Sequence, residues 1–102
     1  MQTESEKREV VRLLRGRVVR ALHRVMATGT RATEGYLSRV CRPESILQLM
    51  DAVVYLHAAG YVELNESRID AGDTNPLKTY WLTAKGISLA ERTVEDANVS
   101  MD

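Results

Sequence analysis

Leu56-His57-Ala58-Ala59-Gly60-Tyr61-Val62 and Tyr80-Trp81-Leu82-Thr83-Ala84-Lys85-Gly86 are the two stretches on which the fold turns. The first reads as a helix giving way to a strand. Leu56 is placed to anchor in a core, and Gly60 permits a left-handed exit that residues with a Cβ resist. Val62 and Leu64 then share one face of the strand. In the second stretch Leu82 meets that face from a partner strand, while Thr83 ends the strand and caps the next helix. A common core holding Leu56, Val62 and Leu82 is the first expectation.

Upstream, Ser5 to Ala27 reads as a long helix. Val11, Leu14, Val18, Leu22 and Val25 recur at spacings of three and four, and Val10 and Ala21 widen the stripe. Arg12, Arg17, Arg20 and Arg24 fall off it and are expected to form a solvated basic face. Gly29 stops the helix. A short helix starts at Thr33, whose hydroxyl caps it, and runs through Tyr36, Leu37 and Val40, with Gly35 an unfavourable residue inside it. The turn from Cys41 to Ser45 opens a third helix, with Pro43 or Ser45 at its start and Gly60 closing it.

Downstream, Tyr61–Glu66 and Leu77–Leu82 are predicted strands. The polar loop from Asn65 to Leu77 between them carries the turn signals Gly72-Asp73 and Asn75-Pro76. Ile87, Ala90, Val94 and Ala97 keep helical rhythm, so the last helix is predicted over 83–97, with Asn98 to Asp102 frayed. This order gives an α+β, mostly helical domain over residues 1–102: a long helix at 5–27, helix-turn-helix at 33–60, a two-stranded hairpin at 61–82 and a C-terminal helix.

The chain has 102 residues, enough for one core and hardly for two. Its 44% hydrophobic content excludes a disordered chain, and its single Cys excludes an internal disulfide framework and fits a reducing compartment. Met1 to Val10 is too charged for a secretory signal, and no apolar run approaches the roughly 20 residues of a membrane span. A cytoplasmic protein without a membrane partner is expected. Formal charge is zero overall, yet residues 1–42 hold ten basic residues against four acids and residues 43–102 hold four against ten. Such a split marks either a basic surface for a polyanion or two halves that neutralise each other.

The two quoted stretches resemble the winged helix-turn-helix domains of MarR- and PadR-type regulators. Leu56 to Val62 stands where such domains leave the recognition helix for the wing, and Tyr80 to Gly86 is similar to their exit from the wing into the last helix. The likeness covers roughly Thr30 to Glu95 and implies double-stranded DNA as partner, with the third helix in the major groove and the hairpin loop along the backbone. Arg31, Arg39, Arg42, Arg68 and Lys78 would then hold phosphates, and Ser45 and Gln48 would read bases. A homodimer is expected through the long first helix and the Ile87, Ala90, Val94 stripe.

Other residues depart from that pattern. Glu44 to Ala59 contains no Lys or Arg, and the loop sets Arg68 against Glu66, Asp70 and Asp73, although phosphate neutralisation supplies most DNA affinity. Leu47, Met50 and Val54 form a second apolar line on the third helix. Either it packs against this chain, with the first helix as candidate, or it is an exposed patch for a protein partner or a second copy. Two functions therefore stand: a DNA-binding transcriptional regulator, or a winged-helix protein-interaction module, adaptor or inhibitor. Enzymatic chemistry is not expected. His23, His57 and Cys41 lack metal-ligand spacing, Gly29 and Gly35 form no phosphate loop, and Glu63 and Glu66 have no apolar pocket around them, so no metal or cofactor is assigned.

Overall fold

The computed structural model describes residues 3–67 and 77–102. Its elements are α1 (Glu4–Met26), β1 (Ala32–Thr33), α2 (Glu34–Cys41), α3 (Ile46–Ala58), β2 (Val62–Ser67), β3 (Leu77–Leu82) and α4 (Ala84–Ala90). Arg68, Asp70, Asp73 and the turn signals Gly72-Asp73 and Asn75-Pro76 lie outside the described residues. Among the described residues four helices and an antiparallel sheet of strand order β1-β3-β2 make an α+β structure. The hairpin pairs Val62 with Leu82 and Ser67 with Leu77. The sheet has three strands rather than two, because β1 pairs Ala32 with Tyr80 and Thr33 with Thr79. Two residues carry too short an alternation to announce a strand.

Each helix start has a local cause. The side chains of Thr3, Thr33, Ser45 and Thr83 accept from the backbone N–H three residues on, at Glu6, Tyr36, Gln48 and Gly86 respectively. This satisfies one of the amides that the first turn leaves without a partner. Gly29 and Gly60 leave α1 and α3 at φ of 78° and 87°, the left-handed region that glycine enters without strain.

Leu22, Leu37, Leu49, Leu56, Val18 and Val62 are fully buried in one core, which Leu82 joins from β3. Leu56, Val62 and Leu82 therefore do share a centre. Gly86 lets α4 lie against the sheet, since a Cβ there would stand 2.1 Å from the Tyr61 carbonyl oxygen.

The end of the chain differs from the sequence reading. α4 stops at Ala90, not at residue 97. Arg92 turns at φ 62°, and residues 96–102 run back across α1. The apolar rhythm of Val94 and Ala97 was therefore misleading: Val94 is exposed in the turn, and the buried residue is Val99. Asn98 to Asp102 is not frayed. The Ser100 N–H donates to the Arg12 carbonyl at 3.0 Å, and Ser100 is itself buried. Arg12 Nε, Arg15 and Arg20 donate to the carbonyls of Ala97, Asn98 and Asp102 at 2.7, 3.0 and 3.0 Å. Gly16 makes the crossing possible, because a Cβ there would meet the Ser100 oxygen at 1.7 Å.

Asp96 pins this strap from below. Its carboxylate accepts from the Tyr55 and Tyr61 hydroxyls at 3.0 and 2.8 Å and from the Asn98 N–H at 2.8 Å. Arg15 lies over the Tyr55 ring at 3.8 Å.

Candidate functional site

The third helix shows two faces. Leu49, Ala52, Val53 and Leu56 are buried. The second apolar line is not packed on α1: Leu47 is 69% exposed, Val54 64% and Met50 42%, with Ile46 beside them at 48%. Met50 and Val54 open into a groove of about 220 Å³ between α3 and the hairpin, floored by Leu64 and Tyr80. Glu34, Glu66, Lys78 and His57 rim it. Lys78 is held 3.7 Å from Glu66 across the hairpin, so its charge is partly spent. Burial, then the negative charges of Glu34 and Glu66, push the Tyr80 hydroxyl's pKa above its ordinary value. This side of the molecule is apolar at its centre and acidic at its edge.

The residues assigned to base reading have a local task. Ser45 caps α3, and Gln48 Oε1 accepts from the N–H of Glu44, the residue just before the cap, at 3.0 Å. Gln48 Nε2 reaches back to the Glu44 carboxylate at 3.4 Å. Both residues face the turn that they stabilise.

The arginines assigned to phosphates do not form one cluster. Arg31, just before β1, lies 3.9 Å over the Trp81 ring on the outer face of the sheet. Arg39 stands exposed near the end of α2, 6.0 Å from the Tyr36 ring. Arg42 caps α2 in the left-handed conformation, φ 49°, and is exposed. It lines a recess of about 200 Å³ with Arg17, Leu13, Pro43 and Gln48. A second recess of about 360 Å³ continues from Arg17 along α1 and α2, lined by Leu13, Arg20, Arg24, Val40 and Asp102.

No protein-family model, curated protein or solved structure matches this chain.

The expected dimer stripe is broken. Ile87 and Ala90 pack half-buried against the core, Val94 lies beyond the end of α4, and the strap covers part of α1. Among the described residues no three His, Cys, Asp or Glu side chains group as a metal site, and no helix is long and apolar enough to cross a membrane. Cys41 is buried, and that burial, only partly offset by the charge of Arg17, pushes its thiol pKa up to about 11. A thiol so protonated and enclosed is a poor nucleophile.

Sequence reasoning missed the Asp96, Tyr55 and Tyr61 cluster and the Arg17 recesses. Both are assembled from distant segments, and spacing along a chain carries no signal for them.

Proposed function

We propose that the chain is a small winged-helix DNA-binding regulator. The observation that carries this reading is the segregation of unpaired arginines. Among the described residues the ion pairs use Lys7, Arg12 and Lys78. Arg17 and Arg24 on α1, Arg39 on α2 and Arg42 at the cap of α2 are exposed with no carboxylate within salt-bridge distance among those residues, whereas Arg31 stands apart over the Trp81 ring. Guanidinium forks suit phosphate oxygens, and unpaired they lose no ion pair on binding. The order of elements agrees, with α2, a turn, α3 and a β-hairpin following one another around one core. A salt titration of binding to duplex DNA tests it. Affinity should fall linearly on a log–log plot with a slope of about −0.9 per phosphate neutralised. Undetectable binding at low salt ends the reading.

A second reading has its own observation. The exposed Ile46, Leu47, Met50 and Val54 line fits a protein-interaction module better than a base-reading helix. Replacing Met50 and Val54 together with Glu should leave thermal stability within about 1 kcal/mol, because Val54 is largely solvated and Met50 stands at the open edge of the groove rather than in the core. The same variant should remove any concentration-dependent association seen by light scattering. Association that persists in the folded variant counts against this reading.

A further inference from the structure

We propose that this chain grips the DNA backbone with the α1–α2 side, through Arg17, Arg20, Arg24 and Arg42, and not with α3 and the hairpin. The inference rests on the DNA-binding reading and goes further by naming the surface.

Arg17, Arg20 and Arg24 lie at spacings of three and four, so they line one side of α1 over about 10 Å of helix. The two recesses described above adjoin at Leu13 and Arg17, which line both, so together they run from Arg24 to Arg42. Its floor is Val10, Leu13 and Val40, against which the methylene stems of arginines can lie while their guanidinium heads project. Negative groups at its ends are Glu44 and Asp102, and Arg20 already donates to the Asp102 carbonyl. Four arginines against two carboxylates leave a net positive channel.

The opposite side lacks what a phosphate needs. α3 carries no Lys or Arg, its solvent face sets Leu47, Met50 and Val54 beside the acid Asp51, and Lys78 is held by Glu66. Glu34 and Glu66 stand at the rim of that groove. A phosphate brought there meets carboxylates before it meets a free cation.

The chemistry of the channel also selects among polyanions. Its lining of arginines and aliphatic residues, with Gln48, Glu44 and Asp102, includes no aromatic ring, so it offers no platform for stacking the bases of a single strand. The face of α1 that could enter a lipid surface, Leu14, Val18, Val19 and Leu22, is buried in the protein. A duplex, whose backbone presents phosphates without exposed base faces, fits best.

The test compares three full-length proteins on a random-sequence duplex across a salt series. Arg17→Gln with Arg24→Gln and Arg42→Gln removes charge from the channel. Arg31→Gln with Lys78→Gln removes it from the sheet side. The channel variant should lower the salt slope by about 2.7, or 0.9 for each lost contact, and weaken binding at least tenfold at moderate salt. The sheet-side variant should stay within about twofold of wild type. Circular dichroism on each variant confirms the fold. Loss of binding in the sheet-side variant with an unchanged channel variant overturns this inference and leaves the DNA-binding reading standing. Absence of binding by the wild-type protein overturns both. Tighter binding to phosphatidylserine vesicles or to single-stranded DNA than to the duplex also overturns the assignment.

Discussion

Leu56→Ala is expected to lower the unfolding free energy by about 3–5 kcal/mol, near the top of the range for leucine truncation in a core. Leu56 is 0% exposed and lies in the core that packs α3 against α1 and β2. Removing three carbons there loses their transfer free energy and leaves a cavity whose walls belong to different elements. Those walls cannot all close in together, because β2 is fixed by its register to β3 and α3 by its cap at Ser45. In a chain of this length the loss corresponds to a fall in melting midpoint of roughly 15–30 °C. Val54→Ala on the same helix is the control: its side chain is 64% exposed, and a change within about 0.5 kcal/mol is expected. Urea denaturation of the two variants decides the matter. A Leu56→Ala cost below about 1 kcal/mol would show that the α3–hairpin junction is loosely packed.

That contrast shows which features were legible in the sequence. Burial of Leu56, Val62 and Leu82 follows from local rules: helical spacing, the glycine exit at Gly60 and alternation along a strand. The caps at Thr33 and Thr83 were equally readable, since a hydroxyl before an apolar run satisfies an orphan amide within three residues, while the start of α3 stood open between Pro43 and Ser45. Features that depend on residues far apart in the chain were not. Val94 and Ala97 kept helical rhythm, but the strap that replaces the expected helix is held by acceptors and donors on α1. Gly16, which local propensity reads only as an unfavourable mid-helix residue, is the place where a carbonyl crosses.

The same limit applies to the site. Arg12, Arg17, Arg20 and Arg24 read as one solvated face, whereas the structure divides them. Arg12 is paired with Glu9 and, like Arg20, donates to a carbonyl near the chain's end; Arg17 and Arg24 have no carboxylate partner among the described residues. Five residues separate Arg12 from Arg17, or about 140° around the helix, so the strap engages one and the α1–α2 depression holds the other. The apolar line on α3 was legible as a line, but its exposure was not. Residues at a three-four spacing pack or face water according to what tertiary structure brings opposite them.

Asp96→Ala is expected to cost about 2–4 kcal/mol at neutral pH, because it leaves two tyrosine hydroxyls and a backbone amide without their charged acceptor. Tyr61 is itself buried, so its ring is fixed with the hydroxyl aimed at Asp96. The pH dependence separates this charge from mere packing. Burial alone would raise the Asp96 pKa, but hydrogen bonds from Asn98, Tyr61 and Tyr55 and the charge of Arg15 outweigh it and hold the pKa below the ordinary aspartate value. The folded protein therefore favours the ionised form more than the unfolded chain does. The resulting stability is fully present above the unfolded pKa of about 3.9 and is lost as pH falls through the lower folded value. At the other extreme, burial and the bond to Asp96 push the Tyr61 pKa up to about 12. The neutral hydroxyl is thus favoured on folding, and its contribution fades as pH rises from the unfolded value of about 10 through 12. Wild type and Asp96→Ala should accordingly differ most between about pH 5 and 9 and converge on either side. Asp96→Asn, which keeps an acceptor and loses the charge, should fall between them. Urea titrations across pH read the difference, and a gap independent of pH would show that Asp96 acts by filling space rather than by its charge.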